Sequence, residues 1–344
     1  MTQTGADAAG RRLNGNLVFG LGNGYNERRW NLFCLLVLPR VFPSSDAVQD
    51  SGETAVVLEP RVQGRTGAQP PPTFKRSNKE LRKDDMNITE LIKTRKSVRT
   101  FDGRPLSEED EAKLRAFCEK TENPFGIPVS VVWLDAKERG LSSPVIVGET
   151  AYLACKTPKR KRCELAVGYA FERIVLYAWS LGVGTTWIGG TMKRELFEKA
   201  AETGDGEFMP VVSPLGYPAK ERSEIDVRLR ERVRGDEREP ASNLFFELDF
   251  LCPMSEPDEA LEAVRWAPSA VNLQPWRVIK DGPRYHFYEK HSLETEQTVG
   301  WDVQKIDMGI ALYHFMAVSG GRCEISDPRL AADPDVEYIA TVTV

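Results

Sequence analysis

Histidine is scarce in this chain, with three in 344 residues: His286, His291 and His314. None shows a carboxylate, serine or cysteine partner in sequence at a spacing that marks a charge relay or a metal site. Surface or core roles are therefore expected of them. Cysteine is also sparse, and Cys34, Cys118, Cys155, Cys163, Cys252 and Cys323 form no C-x-x-C pair. That excludes the common zinc spacings and fits scattered thiols in a reducing cytoplasm. Long apolar runs are missing. The best stretch, Leu32 to Leu38, stops at Pro39-Arg40, far short of the roughly 20 residues that span a bilayer. It follows Glu27-Arg28-Arg29 with no small-residue cleavage site, so neither a signal peptide nor a membrane association is expected. Surplus positive charge is absent too. The 46 Lys and Arg against 51 Asp and Glu leave −5, opposite to the basic surface of a nucleic-acid binder. The local run Lys159-Arg160-Lys161-Arg162 reads as a solvated loop.

The apolar and charged fractions, 41% and 28%, are those of a soluble globular protein. Residues 1–85 stand apart. They are rich in Gly, Arg, Ser and Pro, include Pro70-Pro71-Pro72, and lack apolar periodicity, so they read as a largely disordered extension. Met86 is a candidate natural start. Gly20-Leu21-Gly22-Asn23-Gly24 has a misplaced third glycine and no following helix, and is not read as a dinucleotide loop.

From Met86 the patterning is regular. Asn87 with Glu90 predicts a capped helix over 87–94, and Ser107 caps a second over 108–120. Strands are expected at 129–134 and 151–156. A long helix at 165–181 follows, with Ala166, Ala170, Ile174, Ala178 and Leu181 at helical spacing and Gly182 as its stop. A short strand into Trp187, a helix at 194–201, a strand at 211–215 and a charged crossing at 220–239 complete the first half. The second half repeats the order. Ser255 caps a helix at 256–266, strands at 276–279 and 284–288 flank an Asp281-Gly282 turn, a long helix spans 303–318, and a β-branched strand closes at 338–344. Pro105 to Ala112 aligns with Pro253 to Ala260 without a gap, which points to internal duplication.

Three segments carry candidate chemistry. Arg95-Lys96-Ser97-Val98-Arg99 places two guanidiniums around a hydroxyl, a grip suited to a phosphate; the alternative is a solvated helix end with basic residues favoured by the dipole. Trp187-Ile188-Gly189-Gly190 offers backbone that can approach a flat ring closely. Pro268-Ser269-Ala270-Val271-Asn272-Leu273-Gln274-Pro275-Trp276 is an irregular loop bracketed by prolines, able to present polar groups and amides. Together these segments resemble the flavin site of the FMN-dependent nitroreductase family. Gly216-Tyr217-Pro218 with Lys220 and Arg222 resembles that family's closing segment.

The resemblance covers residues 86–344 and implies an α+β nitroreductase-like fold. The halves 86–239 and 240–344 would be pseudo-symmetric, each an antiparallel sheet flanked by helices, with the long helices packed at the dyad. One chain would then be a compact pseudo-dimer and a monomer in solution. FMN would lie between the halves. Arg95, Ser97, Arg99 and either Lys220 or Arg222 would surround its phosphate, Gly189 and Gly190 would meet N5, and Pro268, Ser269 and Asn272 would cross the ring. Each half lacks its counterpart segment: Thr121-Glu122-Asn123-Pro124-Phe125 stands where the proline-bracketed loop should be, and Leu244-Phe245-Phe246-Glu247-Leu248 where the arginine segment should be. One site is therefore expected. The implied activity passes reducing equivalents from NAD(P)H to a small electron-poor acceptor such as a nitroaromatic or quinone. The alternative is a non-catalytic flavin-binding or sensing protein.

Overall fold

The computed structural model describes residues 87–292, 301–331 and 335–344. The N-terminal extension, including Gly20 to Gly24, lies outside them. Helix α1 (Ile88–Thr94) starts at Asn87, whose side chain accepts from the amide of Thr89. It ends where Arg95 leaves helical geometry, with φ −58° and ψ 134°. From there the chain runs extended, and the amide of Val98 donates to the carbonyl of Thr185 at 2.8 Å. Helix α2 (Glu108–Cys118) is capped by Ser107. Strands β1 (Ser130–Asp135), β2 (Ala151–Pro158) and β3 (Glu207–Leu215) form an antiparallel sheet in the order β1-β2-β3. The long α3 (Cys163–Ser180) and the short α4 (Arg194–Ala200) lie between β2 and β3 in sequence.

The charged stretch 220–239, expected to be a plain crossing, contains a helix, α5 (Glu224–Arg232), capped by Ser223 and anchored by buried Leu229. A single turn, α6 (Ala241–Leu244), leads into β4 (Phe245–Glu247). Next come α7 (Glu259–Arg265), β5 (Trp276–Asp281), β6 (Arg284–Lys290), α8 (Val303–Ser319), β7 (Arg322–Glu324) and β8 (Val336–Thr343). The second sheet has the order β4-β5-β6-β8-β7. It is antiparallel except that β4 pairs parallel with β5.

The predicted cap at Ser255 is corrected to Asp258, whose carboxylate accepts from the amide of Leu261 at 3.0 Å. Pro257 explains the shift, because proline disfavours helical geometry in the residue before it. The gapless alignment of 105–112 with 253–260 therefore sets two caps three residues out of register.

The two long helices cross at the centre. A Cβ on Gly168 of α3 would stand 2.1 Å from the carbonyl oxygen of Ile306, and one on Gly309 of α8 would stand 2.2 Å from that of Leu165. The contact is reciprocal, since each glycine meets the carbonyl three residues before the other. Both helices are largely buried and apolar around most of their circumference, as central core helices must be. One hydrophobic cluster runs continuously from Leu106 through α3 and α8 to Val342.

Candidate functional site, a cationic cleft beside the helix crossing

A cleft of about 1130 Å³ opens beside this crossing. One wall carries the segment after α1, the loop 186–194 and residues from Arg230 to Arg238. The other carries Trp266, the loop after α7, Trp301 and one face of α8. Eight of the ten predicted site residues line it: Arg95, Ser97, Arg99, Gly189, Gly190, Pro268, Ser269 and Asn272. Lys220 and Arg222 are exposed and are not part of the lining. In their place stand Arg230 and Arg238, which sequence reasoning missed.

The arginines are held under electrostatic tension. Burial pushes the Arg95 guanidinium pKa down, Glu172 opposes the shift, and Arg230 adds to it. Arg99 is likewise lowered by burial, with Asp226 opposing at 3.6 Å and Arg230 and Arg95 contributing. Arg238 falls to about 10 through burial and the field of Arg95. Arg230 clamps Asp236 with two donors and is the main cause of that carboxylate's lowered pKa. Nε and Nη1 of Arg95 and Nε of Arg238 are buried donors with no hydrogen-bond partner. Such orphans are costly in a folded protein, and an anion in the cleft is the species that satisfies them. The residues present therefore fit a phosphate-bearing ligand.

The proline-bracketed loop is strained. Val271, Asn272 and Gln274 adopt φ of 43°, 60° and 50°, and for a β-branched residue such as Val271 a positive φ is a genuine outlier. The loop is held in place from several directions. Ser269 Oγ accepts from the amide of Gln274, and Gln274 Oε1 accepts from the amide of Glu239. Asn272 Nδ2 donates to the carbonyls of Arg234 and Glu237. The side chains of Ser269 and Asn272 thus fasten this loop and couple it to the segment that carries Asp236 and Arg238. Asp307, buried on α8, accepts from the amide of Ala270 with both oxygens, and burial raises its pKa well above the ordinary carboxylate range.

The loop 188–190 is tied to β3. The amide of Ile188 donates to Val212, and Arg194 donates to the carbonyls of Gly189, Met209 and Pro210. A Cβ on Gly189 would make only ordinary contacts, 3.7 Å to Trp301 and 3.8 Å to Val211. The protein itself does not demand glycine there. Phe208 and Trp301 pack edge to face at 5.3 Å on the lining of the same cleft.

Two of the three histidines acquire through the fold carboxylate partners that are not visible in the sequence. His314 Nε2 lies 3.0 Å from Glu172 Oε1. His291 lies within 4.0 Å of Glu289, Asp302 and Glu337. Among the described residues, Glu289, His291 and Asp302 have ligand atoms within 4.8 Å of one another. Lys305 already supplies a cation there, 3.1 Å from Asp302 and 3.0 Å from Glu337. His286 pairs with Thr341. In the basic run, Lys159, Arg160 and Lys161 are exposed at the turn into α3, and Lys159 stands on the rim of the cleft. No helix among the described residues is long and apolar enough to cross a membrane.

Residues 87–319 match the family model described as "Putative TM nitroreductase". Among solved structures, a "putative nitroreductase" from Thermotoga maritima is 19% identical with a TM-score of 0.49, covering 75% of this chain and 94% of that one. A nitroreductase family protein from Clostridium novyi is 17% identical with a TM-score of 0.35, covering 41% and 91%. A nitroreductase with bound FMN from Desulfitobacterium hafniense is 19% identical with a TM-score of 0.32, covering 40% and 92%. No curated protein matches the chain.

Proposed function

The chain belongs to the nitroreductase family, and from that premise we propose that it is an FMN-dependent oxidoreductase passing reducing equivalents from NAD(P)H to a nitroaromatic or quinone. The observation that carries this reading is the convergence of Arg95, Arg99, Arg230 and Arg238 on one cleft, with buried donors that make no hydrogen bond. Planar guanidiniums are matched to phosphate oxygens and hold them bidentately. Arg95 and Arg99 grip the phosphate, with Ser97 beside them. Arg230 and Arg238 take the role first assigned to Lys220 or Arg222. Arg238 also sits 5.2 Å over the Trp266 ring, so its position is set by stacking as well as by charge.

The strained loop 268–276 closes the opposite wall. Its shape is fixed in advance by Ser269, Asn272 and Asp307, so binding requires little reordering. Arg194 holds the carbonyl of Gly189 toward β3, which sets the orientation of the peptide that follows it. FMN bound here would supply hydride and electron transfer, and the protein's contribution is position and field.

The same reading takes 86–239 and 240–344 as halves of an internal pseudo-dimer, supported by the reciprocal glycine crossing, and expects a monomer by sedimentation. Flavin fluorescence quenching on FMN titration tests the cofactor. Stopped-flow bleaching of bound flavin by NADH or NADPH, then reoxidation by a quinone or nitroaromatic, tests the reaction. Tight FMN binding without bleaching by either donor makes the protein a flavin binder or sensor instead.

A further inference from the structure

Glu172 of α3 and His314 of α8 face each other across the helix crossing, and neither side chain exposes any surface. Their surroundings fix where hydrogens must lie. The carbonyl of Ala263 can only accept, so His314 Nδ1, 3.0 Å away, bears a hydrogen. Trp187 Nε1 can only donate, and it points at Glu172 Oε2 from 3.1 Å, so that oxygen bears none. His314 Nε2 and Glu172 Oε1 are 3.0 Å apart. Two lone pairs would repel at that distance, so one proton lies between them. Whichever atom holds it, the Glu172–His314 pair is neutral as a unit.

The consequence falls on Arg95. Its Nε stands 3.7 Å from Glu172 Oε1, yet Nε and Nη1 make no hydrogen bond. Both carboxylate oxygens are already engaged, by His314 and by Trp187. Glu172, whose charge opposes the lowering of Arg95 by burial, is thus counterbalanced from its far side by a residue of the other long helix.

We propose that His314, through the proton it shares with Glu172, is a positioning residue of the cleft: it keeps Glu172 from cancelling Arg95, so that Arg95 meets an incoming phosphate group with its full charge. Calling that phosphate FMN's rests on the function proposed above; the anion preference does not.

The test compares FMN, riboflavin and inorganic phosphate on the full chain at neutral pH, with Glu172→Gln, His314→Gln and the double variant. In His314→Gln the amide still donates to Glu172 but brings no proton. Glu172 is then a bare anion beside Arg95, and FMN affinity should fall roughly tenfold, about the worth of one charge-assisted contact. In Glu172→Gln the amide donates to His314 and its carbonyl accepts from Trp187, so the pair stays neutral and FMN affinity should stay within about threefold. The double variant is neutral too and should recover the affinity lost in His314→Gln. Riboflavin, which lacks the phosphate, should bind all four proteins alike.

A double variant that binds as weakly as His314→Gln, or more weakly, overturns the proposal, because packing loss would then explain the effect. A tenfold change in Glu172→Gln alone, in either direction, also overturns it, and this arm decides the matter if His314→Gln does not fold. Thermal stabilisation by inorganic phosphate should rank the four proteins in the same order. If that ranking holds while FMN binds none of them, the cofactor reading fails and the role of His314 stands.

Discussion

Glu289 gives a pH-dependent prediction with a magnitude. The residue lies on β6 with none of its side chain exposed, and both carboxylate oxygens lack a hydrogen-bond partner. Burial lifts its pKa from 4.5 to about 9, with Asp302 adding to the rise and Lys305 opposing it. A carboxyl raised on folding contributes stability that is fully present below the unfolded value of 4.5 and is lost as pH rises toward 9. The loss runs at about 1.36 kcal/mol per pH unit within that window. At pH 8 this amounts to roughly 4–5 kcal/mol relative to acid conditions. Glu289→Gln has the same shape and no ionisation. Guanidinium denaturation of both proteins at pH 5, 6, 7 and 8 should show a stability gap below about 1 kcal/mol at pH 5 that widens to about 2 kcal/mol or more in favour of glutamine at pH 8. A gap that does not change with pH, or a glutamine variant less stable at pH 8, would refute the reasoning.

Arg95→Ala should weaken FMN binding by roughly 1.5–3 kcal/mol, about 10- to 100-fold, in a fluorescence titration, and leave riboflavin binding nearly unchanged; an unaltered FMN affinity would remove Arg95 from the phosphate site. Asp307→Asn should lie within about 1 kcal/mol of the parent at neutral pH, because a raised carboxyl pKa favours the protonated form that asparagine mimics. Asp307→Ala strands the Ala270 amide and should cost about 1–3 kcal/mol in thermal denaturation; equal stability of the two variants would show that amide to be otherwise satisfied. Gly168→Ala forces a methyl against the Ile306 carbonyl and should cost at least about 1–3 kcal/mol by calorimetry, and a neutral result would mean that the crossing is looser than described.

The parts of the fold that were legible in sequence are those where local signals act alone. Asn87 and Ser107 cap helices as read, and the long helices fall within two residues of their expected starts. Apart from the cap read at Ser255, which Pro257 displaces locally, the failures share a cause: a nonlocal partner decided the outcome. Helix α5 was hidden because few apolar residues mark its face, yet Leu229 is buried and Asp226 pairs with Arg99 and Thr100, each more than 120 residues away. Arg230 and Arg238 were missed with it, since nothing in the charged stretch separates cleft-facing arginines from solvated ones. A Ser223 cap followed by Ile225 and Leu229 was the available signal. Ser269 and Asn272 line the cleft, but their hydrogen bonds go to Gln274, Arg234 and Glu237, which spacing cannot reveal. His314 lies 142 residues from Glu172, so no local window contains the pair.

The crossing of α3 and α8 divides the freedom of the two walls into separate parts. Where Gly168 meets Gly309, backbone bears on backbone, and no rotamer exists there to shorten or lengthen. The spacing of the helices at that point is a fixed length. The angle about that contact is set by the core packed around both helices and by a second, polar fastening. Glu172 and His314, about one turn further along their helices, supply it. The cleft walls therefore share one fixed spacing at a glycine fulcrum, with a buried hydrogen bond among the contacts that hold their angle.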